Sequence, residues 1–161
     1  MTLRLFTPRG SAVLLALTLL AACSSDKKDD DPTPDTSIAG VSWSVDGATI
    51  TDAKAQGQIS GNTFSFAANS ISGTGTINGL TFSNVPRAAG TYDLSGTSAP
   101  TVTGAMGYYI LDATVYAATS GSLVVTSVGT SNAVGTFSFT GKMVNGTPTK
   151  TITSGKFNVS Y

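Results

Sequence analysis

The 161-residue sequence predicts an all-β fold: an antiparallel meander of about eight or nine short strands, closed as a small barrel or a flattened two-sheet sandwich. Three observations predict it. From residue 38 onward, large apolar side chains alternate with Ser, Thr and Gly at a period of two, which gives each segment one apolar and one polar face. Glycine-containing pairs that suit tight turns punctuate the segments. No stretch of helical length carries a 3.6-residue apolar stripe, and Glu, a good former of exposed helices, is absent. A meander with a single apolar face must hide it by closing on itself or by packing against a second sheet.

The strands follow in order. Segment 40–46 places Val41, Trp43 and Val45 on one face and Ser42, Ser44 and Asp46 on the other, and Asp46-Gly47 turns the chain into 48–60. Gly61-Asn62 leads into 62–69, with Phe64 and Phe66 on the apolar face. Segment 72–85 carries Leu80 and Phe82, with Asn78-Gly79 as a turn signal, and a short strand is expected at 90–94. Strands at 106–118 and 121–128 flank Ser120-Gly121. The last two, 133–144 and 149–160, carry Phe137 and Phe139, then Phe157 and Val159 continuing to Tyr161, with Asn145-Gly146 between them and Ser154-Gly155 inside the second. Trp43, Phe64, Phe66, Phe82, Phe137, Phe139 and Phe157 are the aromatic core candidates. A glycine marks a bulge as readily as a turn, and both readings stay open for these pairs.

Composition excludes several chemistries. There are nine Lys and Arg, nine Asp, one Cys and no His; Thr occurs 25 times and Ser 20 times. Without His there is no Ser-His-Asp triad, imidazole base or imidazole metal ligand. One Cys permits neither an internal disulfide nor a cysteine zinc cluster. Balanced charge gives no footprint for nucleic acid. No cofactor and no metal site is expected.

The first 22 residues read as a targeting segment. Arg4 and Arg9 precede an apolar run, residues 11–22, that is shorter than the roughly 20 residues needed to span a bilayer. It ends in Leu20-Ala21-Ala22-Cys23, which resembles a bacterial lipobox. That resemblance implies cleavage between Ala22 and Cys23 and diacylglycerol on the Cys23 thiol. Acyl chains contribute about 0.8 kcal/mol per buried CH₂, so two or more hold a protein stably on a membrane. Residues 23–37 then form an acidic tether: 24–37 holds five Asp, two Lys and two Pro and no apolar side chain. Such a segment cannot offset its ordering entropy by burial, so disorder is expected, with a reach of at most about 46 Å. Ser24 directly after the cysteine resembles the outer-membrane sorting pattern. Lys28-Asp29-Asp30 resembles an export signal of surface lipoproteins in Bacteroidota-type bacteria. Residues 38–161 form a single domain.

Within that domain, Val41-Ser42-Trp43-Ser44-Val45-Asp46-Gly47, Gly90-Thr91-Tyr92, Gly135-Thr136-Phe137-Ser138-Phe139 and Gly155-Lys156-Phe157-Asn158-Val159 resemble a family of small β-rich lipoproteins of Bacteroidota-type bacteria. The resemblance covers most of 38–161. It implies fold and location and transfers no activity.

The domain has four carboxylates: Asp46, Asp52, Asp93 and Asp112. Asp46 belongs to a turn, and an approach of Asp46 and Asp52 across their hairpin would suit a hard cation, with solvated rim residues as the simpler reading. Arg87 is placed to pair with Asp93, the default for a lone arginine, or to bind an anion. Alternation through 106–118 groups Tyr108, Ile110, Asp112, Thr114 and Tyr116 on one face. Tyr108, Asp112 and Tyr116 are therefore the candidate ligand-binding residues, because tyrosines flanking a carboxylate can stack sugars and bond their hydroxyls; a simple wet face is the alternative. No motif activates a Ser or Thr nucleophile.

The expected function is that of a non-enzymatic envelope lipoprotein, in the outer membrane and at the cell surface or else on the periplasmic face. Its partners would be the membrane, through lipid on Cys23, and a glycan, protein or small ligand, with no nucleic acid. The alternatives are an accessory subunit of a surface complex, a barrel holding an apolar ligand, and, last, an Asp-dependent hydrolase.

Overall fold

The computed structural model describes residues 39–95 and 104–161. Ten strands and no helix occupy them: β1 Gly40–Val45, β2 Ala48–Asp52, β3 Gln56–Ser60, β4 Thr63–Ile71, β5 Ile77–Pro86, β6 Gly90–Asp93, β7 Met106–Leu111, β8 Thr114–Val128, β9 Asn132–Met143 and β10 Thr149–Ser160. All belong to one sheet that returns on itself in a partial ring, as expected of a meander closed in barrel-like fashion.

The sheet curls into a ring. β10, β9, β8, β7, β5, β4 and β3 follow one another by antiparallel pairing, and β3 returns to β10 through one parallel pair, Gln56 with Ser160. The β1–β2 hairpin lies on the same edge of β10 as β3, since Phe157 faces Val41 on one side and Gly135 on the other. β6 departs from the meander by skipping β7 to pair with residues 122–125 of β8.

Local chemistry explains most boundaries. Asp46 (φ 51°) and Gly47 (φ 80°) both adopt positive φ, the geometry of a two-residue turn that matches strand twist. The expected strand 48–60 breaks at 53–55, where the chain leaves β1 for β4. Asp52 marks the break: its two carboxylate oxygens accept the amides of Lys54 (2.8 Å) and Asn69 (2.8 Å). The expected strand 72–85 starts only at Ile77, because 72–76 close into a turn with Gly75 N–H donating to Ser72 O (2.9 Å). Asn78-Gly79 lies inside β5 and turns nothing. The expected division between 106–118 and 121–128 also moves: the chain turns at Asp112-Ala113, and β8 runs on through Gly121.

Four bulges bend the long strands. Registers shift near Asn84 (φ 56°) in β5, at Thr119 and Thr126 in β8, and near Ser154 (φ 52°) in β10. Each inserts a residue and so resets the alternation. Phe82 and Val85 both face inward, as do Ile152 and Gly155.

All seven aromatic core candidates are buried. Phe66 sits between Phe82 and Phe157, 4.8 Å from each ring centroid, and Phe82 continues to Phe137 at 4.8 Å. These rings occupy the interior, which is where an apolar ligand would have had to lie. Two glycines make room for them. Phe157 lies across from Gly135, and Phe137 across from Gly155. Each ring covers the other strand's glycine, an arrangement that fills the space a missing side chain leaves. The two Gly-x-Phe motifs are therefore one reciprocal packing unit.

Candidate functional site

The ring is closed by β3 near Ser160 but is open further along, between β2 and the second half of β4. Among the described residues β2 has β1 as its only strand partner, and β4 beyond Ala67 pairs with β5 alone. The Asp52 carboxylate bonded to the Asn69 amide clasps this seam at one end. Beyond the clasp the seam widens into a cleft of about 460 Å³ lined by residues of β1, β2, β4, β5 and β7. Val45, Ile50, Leu111 and Tyr109 supply its apolar lining, and Asp46, Thr49, Thr51, Ser70, Ser72 and Asn78 supply polar groups. An apolar floor with a few placed polar groups at a barrel mouth is a common form of binding site.

The floor is held rigidly. Tyr109 is buried, stands 5.9 Å from Tyr116 between ring centroids, and donates its hydroxyl to Asn78 Oδ1 at 2.7 Å. Burial first, and then the nearby charge of Asp46, push the Tyr109 hydroxyl up to about 12. In the unfolded chain the same group ionises near 10. The unfolded state therefore releases this proton first, and the resulting stability is present below pH 10 and lost as pH rises to 12. Urea midpoints are expected to fall through that window, and Tyr109→Phe is expected to remove this part of the fall. At the rim, Lys150 and Asp46 form an ion pair that raises the Lys150 pKa. Both are partly exposed, and such pairs contribute at most about 1 kcal/mol.

The tyrosine face expected from the sequence does not form. Asp112 takes a positive φ of 51° in the two-residue turn, so the alternation stops there. Its carboxylate accepts the Ile77 amide (2.9 Å), and its own amide donates to Ile77 O (2.9 Å). Tyr116 is a core residue, 6% exposed and paired with Tyr109, while Tyr108 lies on the opposite side of β7. Asp112 thus pins a strand end rather than a ligand. Cys23, Ala22, Lys28, Asp29 and Asp30 lie outside the described residues.

Two further pairings weighed from the sequence do not form. Asp46 and Asp52 sit at opposite ends of β2 and hold different partners. Arg87 lies over the Tyr161 ring, 5.6 Å from its centroid, while Asp93 accepts the Ser95 amide (2.9 Å) and hydroxyl (3.0 Å). Among the described residues no three of His, Cys, Asp or Glu cluster as metal ligands, and no helix is long and apolar enough to cross a membrane.

The hydroxyl content has a place in the fold. Thr91, Val124, Thr136, Lys156, Ser42 and Thr51 form one continuous cross-strand row over six strands of the outer face. The row ends on β2 at the cleft.

Asp52 is the residue on which the seam's geometry turns. Asp52→Ala leaves two amides without their acceptor and is expected to cost about 1–3 kcal/mol. Urea denaturation measures the loss, and faster hydrogen exchange at the Asn69 amide locates it.

Sequence reasoning missed Asn78, Tyr109 and the cleft side of Thr49 and Thr51. The Asp46-Gly47 turn contains a partial signal, since it sets the register of β2. What faces β2 across the seam depends on ring closure. Comparisons with family models, with curated proteins and with solved structures found no match.

Proposed function

We propose that this chain is an envelope lipoprotein, anchored through lipid on Cys23, that holds a non-catalytic binding domain away from the membrane. The observation that carries the binding reading is the seam cleft: a preformed recess with an apolar floor and polar groups at its edge. The lipobox-like Leu20-Ala21-Ala22-Cys23 and the acidic tether support the anchor, and Ser24 and Lys28-Asp29-Asp30 support placement in the outer membrane facing outward. The resemblance to β-rich lipoproteins supports the same location. The ligand classes that suit the cleft are a glycan, a protein segment or a small polar molecule. A role as an accessory subunit of a surface complex is the second reading, favoured by the cross-strand row from Thr91 to Thr51, in which four of six side chains carry a hydroxyl and which offers a broad face to a protein partner.

The anchor is tested by labelling cells with a palmitate analogue. The wild-type chain is expected to take up label and to pellet with membranes, and Cys23→Ala to lose essentially all of both. Equal labelling of the variant contradicts the anchor. Protease treatment of whole cells separates outward from periplasmic display. Binding is tested by screening the full chain in detergent against glycans and peptides, with hits mapped by Asn78→Ala.

A further inference from the structure

The geometry points to an extended polypeptide segment as the ligand of the seam, added as a strand to the free edge of β2. The inference rests on the binding-domain reading and names its ligand class.

The argument begins with the turn. In a two-residue hairpin the residues flanking the loop exchange both main-chain bonds, and such pairs alternate along the strands. Val45 with Ala48, Trp43 with Ile50 and Val41 with Asp52 are therefore the bonded pairs. Ser44 with Thr49 and Ser42 with Thr51 are the non-bonded ones, and the close approach of Ser44 Oγ and Thr49 Oγ1 (3.2 Å) agrees. The N–H and C=O of Thr49 and Thr51 consequently point away from β1, into the seam. The same reasoning applies across the gap. The Asn69 amide reaches Asp52, so on β4 the main-chain groups of Asn69 and Ile71 face the seam as well. Among the described residues neither edge has a strand partner at these positions.

A free strand edge is a template for another strand, and proteins normally blunt or cover it. Here it is bounded by the Asp46-Gly47 turn at one end and the Asp52 clasp at the other. Five residues of strand span about 17 Å, enough for a short segment. Two successive residues with both main-chain groups free supply two complete bonded pairs. The incoming residue between those pairs falls opposite Ile50, and its side chain points inward toward Val45, Leu111 and Tyr109. Main-chain bonds give such complexes their affinity, and pockets for alternate side chains give specificity. The cleft therefore calls for a segment with one aliphatic side chain between two residues whose side chains face out. Charge contributes little, since the nearest charged pair, Asp46 and Lys150, is already neutralised.

The test uses the full chain in detergent micelles and the capped peptide Ser-Thr-Val-Thr-Ser as probe, followed by amide resonances and hydrogen exchange. Binding is expected to slow exchange at Thr49 and Thr51. N-methylation of both peptide threonines removes the donors that face β2 and is expected to weaken binding by roughly three- to tenfold per lost bond. N-methylation of the valine, whose amide faces the other way, is expected to leave the β2 contacts in place and slow exchange at Thr49 and Thr51 as before. Thr49→Pro removes a seam-facing donor on the protein side and is expected to abolish the effect; the methylated peptides keep the test decisive if that variant does not fold. Equal loss from every methylation pattern, or perturbation that avoids Thr49 and Thr51, overturns strand addition. A saccharide that occupies the cleft while peptides do not overturns it too but preserves the binding reading. If neither class of probe binds, both fall.

Discussion

Gly155→Val is expected to destabilise the domain severely. A Cβ at this position would stand 2.5 Å from the carbonyl oxygen of Phe137 and would overlap the Phe137 ring as well. Neither can move freely. Phe137 is buried, and its ring packs on Phe82. Its carbonyl belongs to a strand paired on both sides. Overpacking usually costs about 1–3 kcal/mol, and a clash with fixed main chain lies at or beyond the top of that range, on the order of 4 kcal/mol. Domains have about 5–15 kcal/mol in all, so a loss of this size takes about a quarter of the stability at the least and most of it in a marginal domain. Gly135→Val is expected to behave alike, with its Cβ 2.6 Å from the tip of Phe157. The check is a urea titration by Trp43 fluorescence; a midpoint within error of wild type would refute the reciprocal packing.

Phe66→Ala carries the second large effect, through the opposite error. Phe66 is 3% exposed and stacks between Phe82 and Phe157 at 4.8 Å on each side, with Phe64 at 6.0 Å. Its removal leaves a cavity that neighbours on three different strands cannot fill, at a cost of about 3–5 kcal/mol. Phe66→Leu keeps most of the volume and is expected to lose less than half as much. The ratio of the two losses, read from denaturation midpoints, separates a packing role from a local strand preference.

What the sequence revealed follows from how far each signal reaches. The β1–β2 hairpin was legible because Trp43, Ile50 and Asp46-Gly47 act within a dozen residues, where alternation and turn chemistry agree. The paired Gly-x-Phe strands were legible as strands, but their reciprocity depends on the register of β9 against β10. Bulges defeated simple alternation: after Asn84 and Ser154 the inward phase changes, so Val85 and Gly155 face the core where a strict period of two places their neighbours. Asp112 misled because Asp-Ala carries no glycine and lies in an apolar run; only its carboxylate reaching the Ile77 amide, 35 positions earlier in the chain, reveals the turn. The cleft was the least legible feature. Asn78 and Tyr109 come from neighbouring strands, but Val45 on β1 meets them only because the sheet comes back on itself, through one parallel pair at Ser160.

That the cleft is a binding site matters to a cell only if the domain is held at the envelope, and this rests on one thiol. Intact mass measurement of the chain isolated from its native membrane addresses it directly. The account predicts a polypeptide that begins at Cys23 and carries the added mass of a diacylglyceryl group and its acyl chains. A chain that begins at Met1 with an unmodified Cys23 would contradict it.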